Sequence, residues 1–204
     1  MRYTGPKFKL CRREWINLFW TAKYNVKKRR KLPGQHGNGM TRLSEYGKLL
    51  RNKQVLKRIY QMSEKQFKRF VTQVALKYSK NAGIDYDKSV KIILERRLDT
   101  VLYRSGMANT IMQARQMITH GHFLLNGIKH NIPSYLVKKG DVIELREKLK
   151  NSPLYEQENK NIKALSYIKT NLADKKIEVI DLPRADEIEV PADVLKVIEF
   201  YARA

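Results

Sequence analysis

Residues 109–127 read NTIMQARQMITHGHFLLNG, and no other stretch restricts the fold so tightly. Thr110 and Gln113 have capping-box spacing, in which a hydroxyl and an amide close the first turn of a helix. Ala114, Met117 and Ile118 give that helix one apolar face. Gly121 suits the left-handed backbone that stops it. Phe123 to Leu125 then reads as a strand, and Asn126-Gly127 as a type I′ turn into a partner strand from Ile128 to Ile132. Pro133 ends the pairing. After Lys139-Gly140-Asp141 turns the chain, Val142 to Arg146 reads as a third strand.

Elsewhere the apolar spacing is helical. Ser44 caps a helix expected over 45–61, and Ser63-x-x-Gln66 opens another over 64–79. A loop at 81–83 precedes a third helix over 87–105, with Val90, Ile93, Leu94, Leu98, Val101 and Leu102 on one stripe. Pro191 suits the first position of a last helix, PADVLKVIEFYAR. Its face of Val194, Val197, Ile198 and Tyr201 needs a partner, and the helices of 45–90 offer one. Between 151 and 180 only Ile177 to Ile180 gives a weak strand signal. The expected class is α+β. A helical domain (43–92 with 185–204) carries an inserted domain (93–184), whose module of two helices and a small, mainly antiparallel sheet spans about 95–155. A basic arm, 1–42, comes first. Its prolines, glycines and cations predict an irregular segment that orders against a partner, with a solvated tail as the alternative.

Charge narrows the partner. Lys and Arg number 42 against 20 Asp and Glu, a net +22. Residues 1–60 hold 17 basic and 2 acidic side chains, 61–150 hold 17 and 8, and 151–204 hold 8 and 10. Such a surface repels itself until a polyanion neutralises it, nucleic acid first and an anionic membrane second. No stretch approaches the ~20 apolar residues of a membrane span, and the start lacks the apolar core of a secretory signal. Cys11 is the only cysteine, so no internal disulfide or cysteine zinc cluster can form, and a reducing compartment fits. No phosphate-binding G-x-x-x-x-G-K-[ST] loop or G-x-S-x-G elbow is present. His120 and His122 end one element and begin the next, so with His130 they are not expected to converge on a metal. No catalysis, cofactor or metal is expected.

Within the module, Gln113, Gln116 and His120 share a polar side. Arg115 widens it, and Arg97 and Arg104 come from the preceding helix. Guanidinium forks suit phosphate, and such a surface reads the shape and backbone of folded RNA. Composition alone does not separate RNA from DNA. Arg97 has an alternative partner in Asp99 or Glu95, Lys138 and Lys139 form a solvated turn or a contact, and Trp15 and Trp20 either stack on bases or pack in the arm. Asp99 itself reads as structural.

Specific motifs add a resemblance. The RLD…VLYRSG pattern from 97, T-x-x-QARQ at 110–116, HGH at 120–122, the NG hairpin and IPSYLV at 132–137 resemble the S-four-like RNA-binding module. That module also occurs in pseudouridine synthases and tyrosyl-tRNA synthetases, so it does not fix function. RYTGPKFKLCRRE at 2–14, LPGQHGNG at 32–39, LSEYGKLLRNKQVLKRIY at 43–60, SEKQF at 63–67 and IEFYAR at 198–203 resemble the bacterial-type family of small-ribosomal-subunit protein four itself, the universal family S-four. The resemblance implies a structural constituent of the small subunit that binds 16S-type rRNA as a primary binder and nucleates assembly of its 5′ domain. It also implies a contribution to translational accuracy near the channel where messenger RNA enters, contact with small-subunit protein five and a ribosomal location in the cytoplasm rather than an organelle. The matching RNA-facing positions are Arg2, Lys7, Lys9, Arg12, Arg13, Lys28, Arg29, Arg30, Gln35, His36, Gly37, Tyr46, Gln54, Lys57 and Arg58. The module adds Arg97, Arg104, Arg115, Gln116, His120, His122, Asn126 and Lys129. Arg42, Lys48 and Arg51 are assigned to the messenger channel. Two departures stand out: Ile111-Met112 replaces the arginine many relatives carry after the capping threonine, and the four arm cysteines that bind zinc in some relatives are reduced to Cys11. The alternatives are an RNA-modifying enzyme using the module for targeting and a basic DNA-binding protein.

Overall fold

The computed structural model describes residues 3–21, 24, 31–39, 42–155, 165–171 and 174–203. In chain order the helices are α1 (Lys7–Glu14), α2 (Glu45–Ile59), α3 (Glu64–Arg69), α4 (Leu76–Ala82), α5 (Tyr86–Glu95), α6 (Leu98–Arg104), α7 (Ile111–Thr119) and α8 (Val194–Ala202). The strands are β1 (Phe123–Leu125), β2 (Ile128–Lys129), β3 (Val142–Leu145), β4 (Ile168–Asn171) and β5 (Lys176–Val179). The class is α+β. The chain divides into two compact units, Met1–Val90 with Glu189–Ala204 and Lys91–Ile188.

In the first unit, Ser44 caps α2 by accepting from the Gly47 N–H, and Ser63 caps α3 by accepting from the Gln66 N–H. The helix begun by α3 widens into π turns over Phe70–Ala75 before continuing as α4. Two side chains disturb the ladder there: the Tyr86 hydroxyl donates to the Val71 carbonyl at 2.7 Å, and Thr72 Oγ1 to Lys68 O at 2.8 Å. α8 packs along α2. It starts later than its proline suggests, because Asp193 is the cap that accepts from the Leu195 and Lys196 N–H groups. Val194, Val197 and Phe200 are its buried residues. Tyr201 donates to Glu64, and Asn52 Oδ1 receives the Asp193 N–H at 3.0 Å.

The arm corrects one expectation. Residues 7–14 are helical, not irregular, with Cys11 buried and Leu18 and Phe19 buried beyond the helix. These apolar side chains help anchor it, and the surrounding charge hides their spacing.

In the second unit the expected helix over 87–105 is two helices. Arg97 is extended (φ −68°, ψ 137°) between α5 and α6 and bridges to Leu136. The loop 133–137 holds the break open: Val137 N–H donates to Arg96 O, Leu98 N–H to Tyr135 O and Asp99 N–H to Pro133 O. α6 packs on α7. The antiparallel sheet has the order β2-β1-β3-β5-β4. Phe123, Leu125, Ile143, Leu145, Ile177 and Val179 point to one buried face and join Leu98, Val101, Leu102, Ala114, Met117 and Ile118 in a single core. Burying each larger side chain there contributes roughly 1.5–3 kcal/mol. On the other face Glu144 and Lys176 pair across strands at 2.9 Å. β2 is only two residues long, shorter than expected, and β4 is an edge strand the sequence did not signal.

Candidate nucleic-acid interface

The module's polar face is set by how α7 begins and ends. The Thr110 hydroxyl accepts from the Gln113 N–H at 3.1 Å, and the Gln113 side chain reaches back to the Asn109 N–H at 2.9 Å. At the far end Gly121 (φ +69°) donates to Ile118 O and His122 to Met117 O, the double closure of a Schellman turn. This leaves Gln116 and His120 exposed. Asn126 (φ +50°) and Gly127 (φ +80°) make the type I′ hairpin. That turn swings Lys129 across Gly121, where even a methyl group would collide with the Lys129 methylene chain. Arg146 donates to Gly121 O at 3.4 Å. Gln116, His120, Lys129 and Arg146 therefore gather around the end of α7. Arg146 is the residue the sequence reading missed, because only the β1–β3 register brings it there.

His122 is turned inward, its Nδ1 2.8 Å from the Tyr155 hydroxyl. Burial, with His120 and Arg146 beside it, lowers its pKa and favours the neutral ring. Asn126 is exposed, but its side chain serves the turn, donating to Asp141 and accepting from the Val142 N–H.

The module's arginines differ from expectation. Arg97, placed among the RNA contacts above, is 2% exposed and forks onto Asp99 at 3.1 and 2.9 Å. It has no surface for a phosphate. Its alternative reading, pairing with Asp99, is the observed one, but in the interior. Arg115 reaches the same buried carboxylate at 3.1 and 2.6 Å, and Arg104 forks onto the buried Glu95 at 3.0 and 2.8 Å. Both arginines keep partial exposure.

In the first unit Lys9, Arg13, Gln35 and His36 are exposed, while Lys7 lies 6.0 Å from the Phe19 ring centre. Trp15 and Trp20 are both exposed. Tyr46 is exposed and tilts against Phe200. Gln54 and Arg51 are half-buried, and Arg42 and Lys48 exposed, the latter paired with Glu45. Two expected contacts are tied inward: Lys57 to Glu64 at 2.8 Å and Arg58 to Glu14 at 3.5 Å. Glu64 also binds Lys53, whose ammonium sits 4.2 Å from the Phe200 ring centre. Burial pushes the Glu64 carboxyl up, but hydrogen bonds from Lys53, Lys57 and Tyr201 win and hold it at about 2. Arg2, Lys28, Arg29 and Arg30 lie outside the described residues. No described helix is long and apolar enough to cross a membrane, and the described residues contain no group of three or more His, Cys, Asp or Glu able to hold a metal.

Comparison with known proteins divides the chain at nearly the same place as the Arg97 break. Residues 2–95 match the family model for the ribosomal protein S4/S9 N-terminal domain, and residues 96–143 match the S4 domain. The small ribosomal subunit protein uS4 of Thermotoga petrophila is 42% identical over 99% of both chains. Those of Kosmotoga olearia and Halothermothrix orenii are 40% and 38% identical over the same shares. The chain belongs to the uS4 family. The S4-domain match takes in α6, α7, β1, β2 and the start of β3, so the cluster around Gly121 lies inside it apart from Arg146. β4, β5 and α8 fall outside both family models, yet the uS4 relatives extend across them.

Proposed function

We propose that this chain is a structural, non-enzymatic protein of the small ribosomal subunit that binds its 16S-type rRNA through both units and the arm. Agreement with uS4 relatives over 99% of the chain carries the reading. The net charge of +22, centred on the first 150 residues, and the exposed cluster of Gln116, His120 and Lys129 support it. The mechanism is electrostatic. Exposed Lys and Arg displace counterions from the phosphate backbone, so affinity falls steeply with salt. The polar end of α7 reads backbone shape more than base identity. Clamping several RNA helices at once makes the protein a primary binder that nucleates assembly of the 5′ domain. The finer reading places the two-unit arrangement, helical domain plus inserted module, beside small-subunit protein five. It puts Arg42, Lys48 and Arg51 near the messenger channel, where they contribute to translational accuracy in cytoplasmic ribosomes.

The test is competition at moderate salt between a transcribed 5′-domain junction RNA and duplex DNA, followed by crosslink mapping. Strong preference for the junction, crosslinks to the 110–129 face and arm, and no altered nucleotide are expected. Equal binding to DNA would overturn the reading, and a modified base would favour an RNA-modifying enzyme. In cells, substitutions at Arg42, Lys48 and Arg51 should change a misreading reporter without lowering subunit yield.

A further inference from the structure

Arg12 makes contacts that the RNA-binding reading does not use. From α1 its Nε and Nη2 donate to the Lys31 carbonyl at 3.0 and 2.7 Å, and Nη2 also reaches the Leu32 carbonyl at 3.1 Å. The Leu32 carbonyl is hemmed in from a second direction, since a side chain added at Gly37 would run into it. Gly34 (φ +104°) turns the chain, Gly37 N–H donates to Gly34 O and Gly39 N–H to His36 O, so the loop closes on itself. Gln35 and His36 stand exposed at its tip. Three bonds to two successive carbonyls need a planar fork, which lysine lacks.

We propose that Arg12 is a positioning residue, not a phosphate contact: it staples the Leu32–Gly37 loop to α1 so that Gln35 and His36 meet the RNA in a fixed place. This rests on the RNA-binding reading above. Because a carbonyl is neutral, the staple leaves the charge of Arg12 intact, and lysine at this site keeps the charge while losing the fork.

The full chain and the 5′-domain junction RNA test it. Arg12→Lys should weaken binding roughly tenfold, about the worth of one charge-assisted hydrogen bond, with an unchanged salt slope. Limited proteolysis of the free protein should cut faster within 31–39. Gly37→Ala pushes the same carbonyl from the other side and should reproduce both effects. The double variant should be within about twofold of either single one, because both act through one contact. Lys9→Ala, a plain phosphate contact, should instead lower the salt slope by about one with no change in cleavage. Wild-type binding by Arg12→Lys, or a reduced slope in Arg12→Gln with unchanged loop cleavage, overturns the staple. Failure of the unaltered protein to prefer the RNA overturns the RNA reading, and the cleavage result still decides the staple.

Discussion

Residues 1–60 and 61–150 carry equal numbers of basic side chains, 17 each, but 2 and 8 acidic ones. The structure gives that difference a meaning. In the module, three arginines close on two buried carboxylates: Arg97 and Arg115 share Asp99, and Arg104 takes Glu95. In the arm, Arg12 closes on neutral carbonyls. A carboxylate beneath an arginine fixes it and cancels much of its field; a carbonyl fixes it and leaves the field intact. A tally of arginines thus overstates the module's attraction for a polyanion.

Stability should break along this line first. Asp99→Ala strands Arg97 in the interior without its counter-charge, and loss of one partner of a buried pair costs about 3–5 kcal/mol. The urea midpoint should fall accordingly, while Arg12→Ala should stay within about 1 kcal/mol of the parent. A smaller contrast lies in RNA binding. Arg13→Ala should lower the salt slope by about one, and Arg104→Ala, already neutralised by Glu95, should barely change it. Equal slopes would erase the distinction between the regions. Thr110→Ala removes the cap of α7 and should cost about 1 kcal/mol, read by thermal melting, with binding weakened through loss of order at the Gln116–His120 face.

The smallest expected effect concerns acid. The Glu64 carboxyl is held down to about 2 from 4.5. A depressed carboxylate contributes stability that is present above 4.5 and is lost as pH falls towards 2. Glu64 is nearly half exposed, so screening keeps the contribution small. Glu64→Gln should flatten the fall in melting temperature between those pH values.

Which features were legible follows from chemical range. The Thr110 cap, the Gly121 stop and the Asn126-Gly127 turn are written in adjacent residues, and each stands where its chemistry requires. The break at Arg97 depends on carbonyls of residues 133 and 135, so an unbroken apolar stripe disguised it. β4 pairs with β5 through a sequence with almost no alternation, Ile168-Lys169-Thr170-Asn171. Asp193 outcompeted Pro191 because a carboxylate accepting two N–H groups fixes a first turn better than a preset φ. For the interface, residue type offered Arg97 a carboxylate partner but not Arg104 or Arg115. Arg115 and Asp99 are 16 residues apart, and Arg104 and Glu95 are 9 apart.

The seam between α2 and α8 joins residues far apart in the chain, 141 positions in the case of Asn52 and Asp193. At about 5–20 residues per second, a translating ribosome makes the second half of that seam roughly 7–28 seconds after the first. The module has all its strands before α8 exists, so the nascent protein should order its middle while its front still waits. Truncation within the last dozen residues would then leave α2 with a bare apolar flank, a target for chaperones and proteases far from the lesion itself.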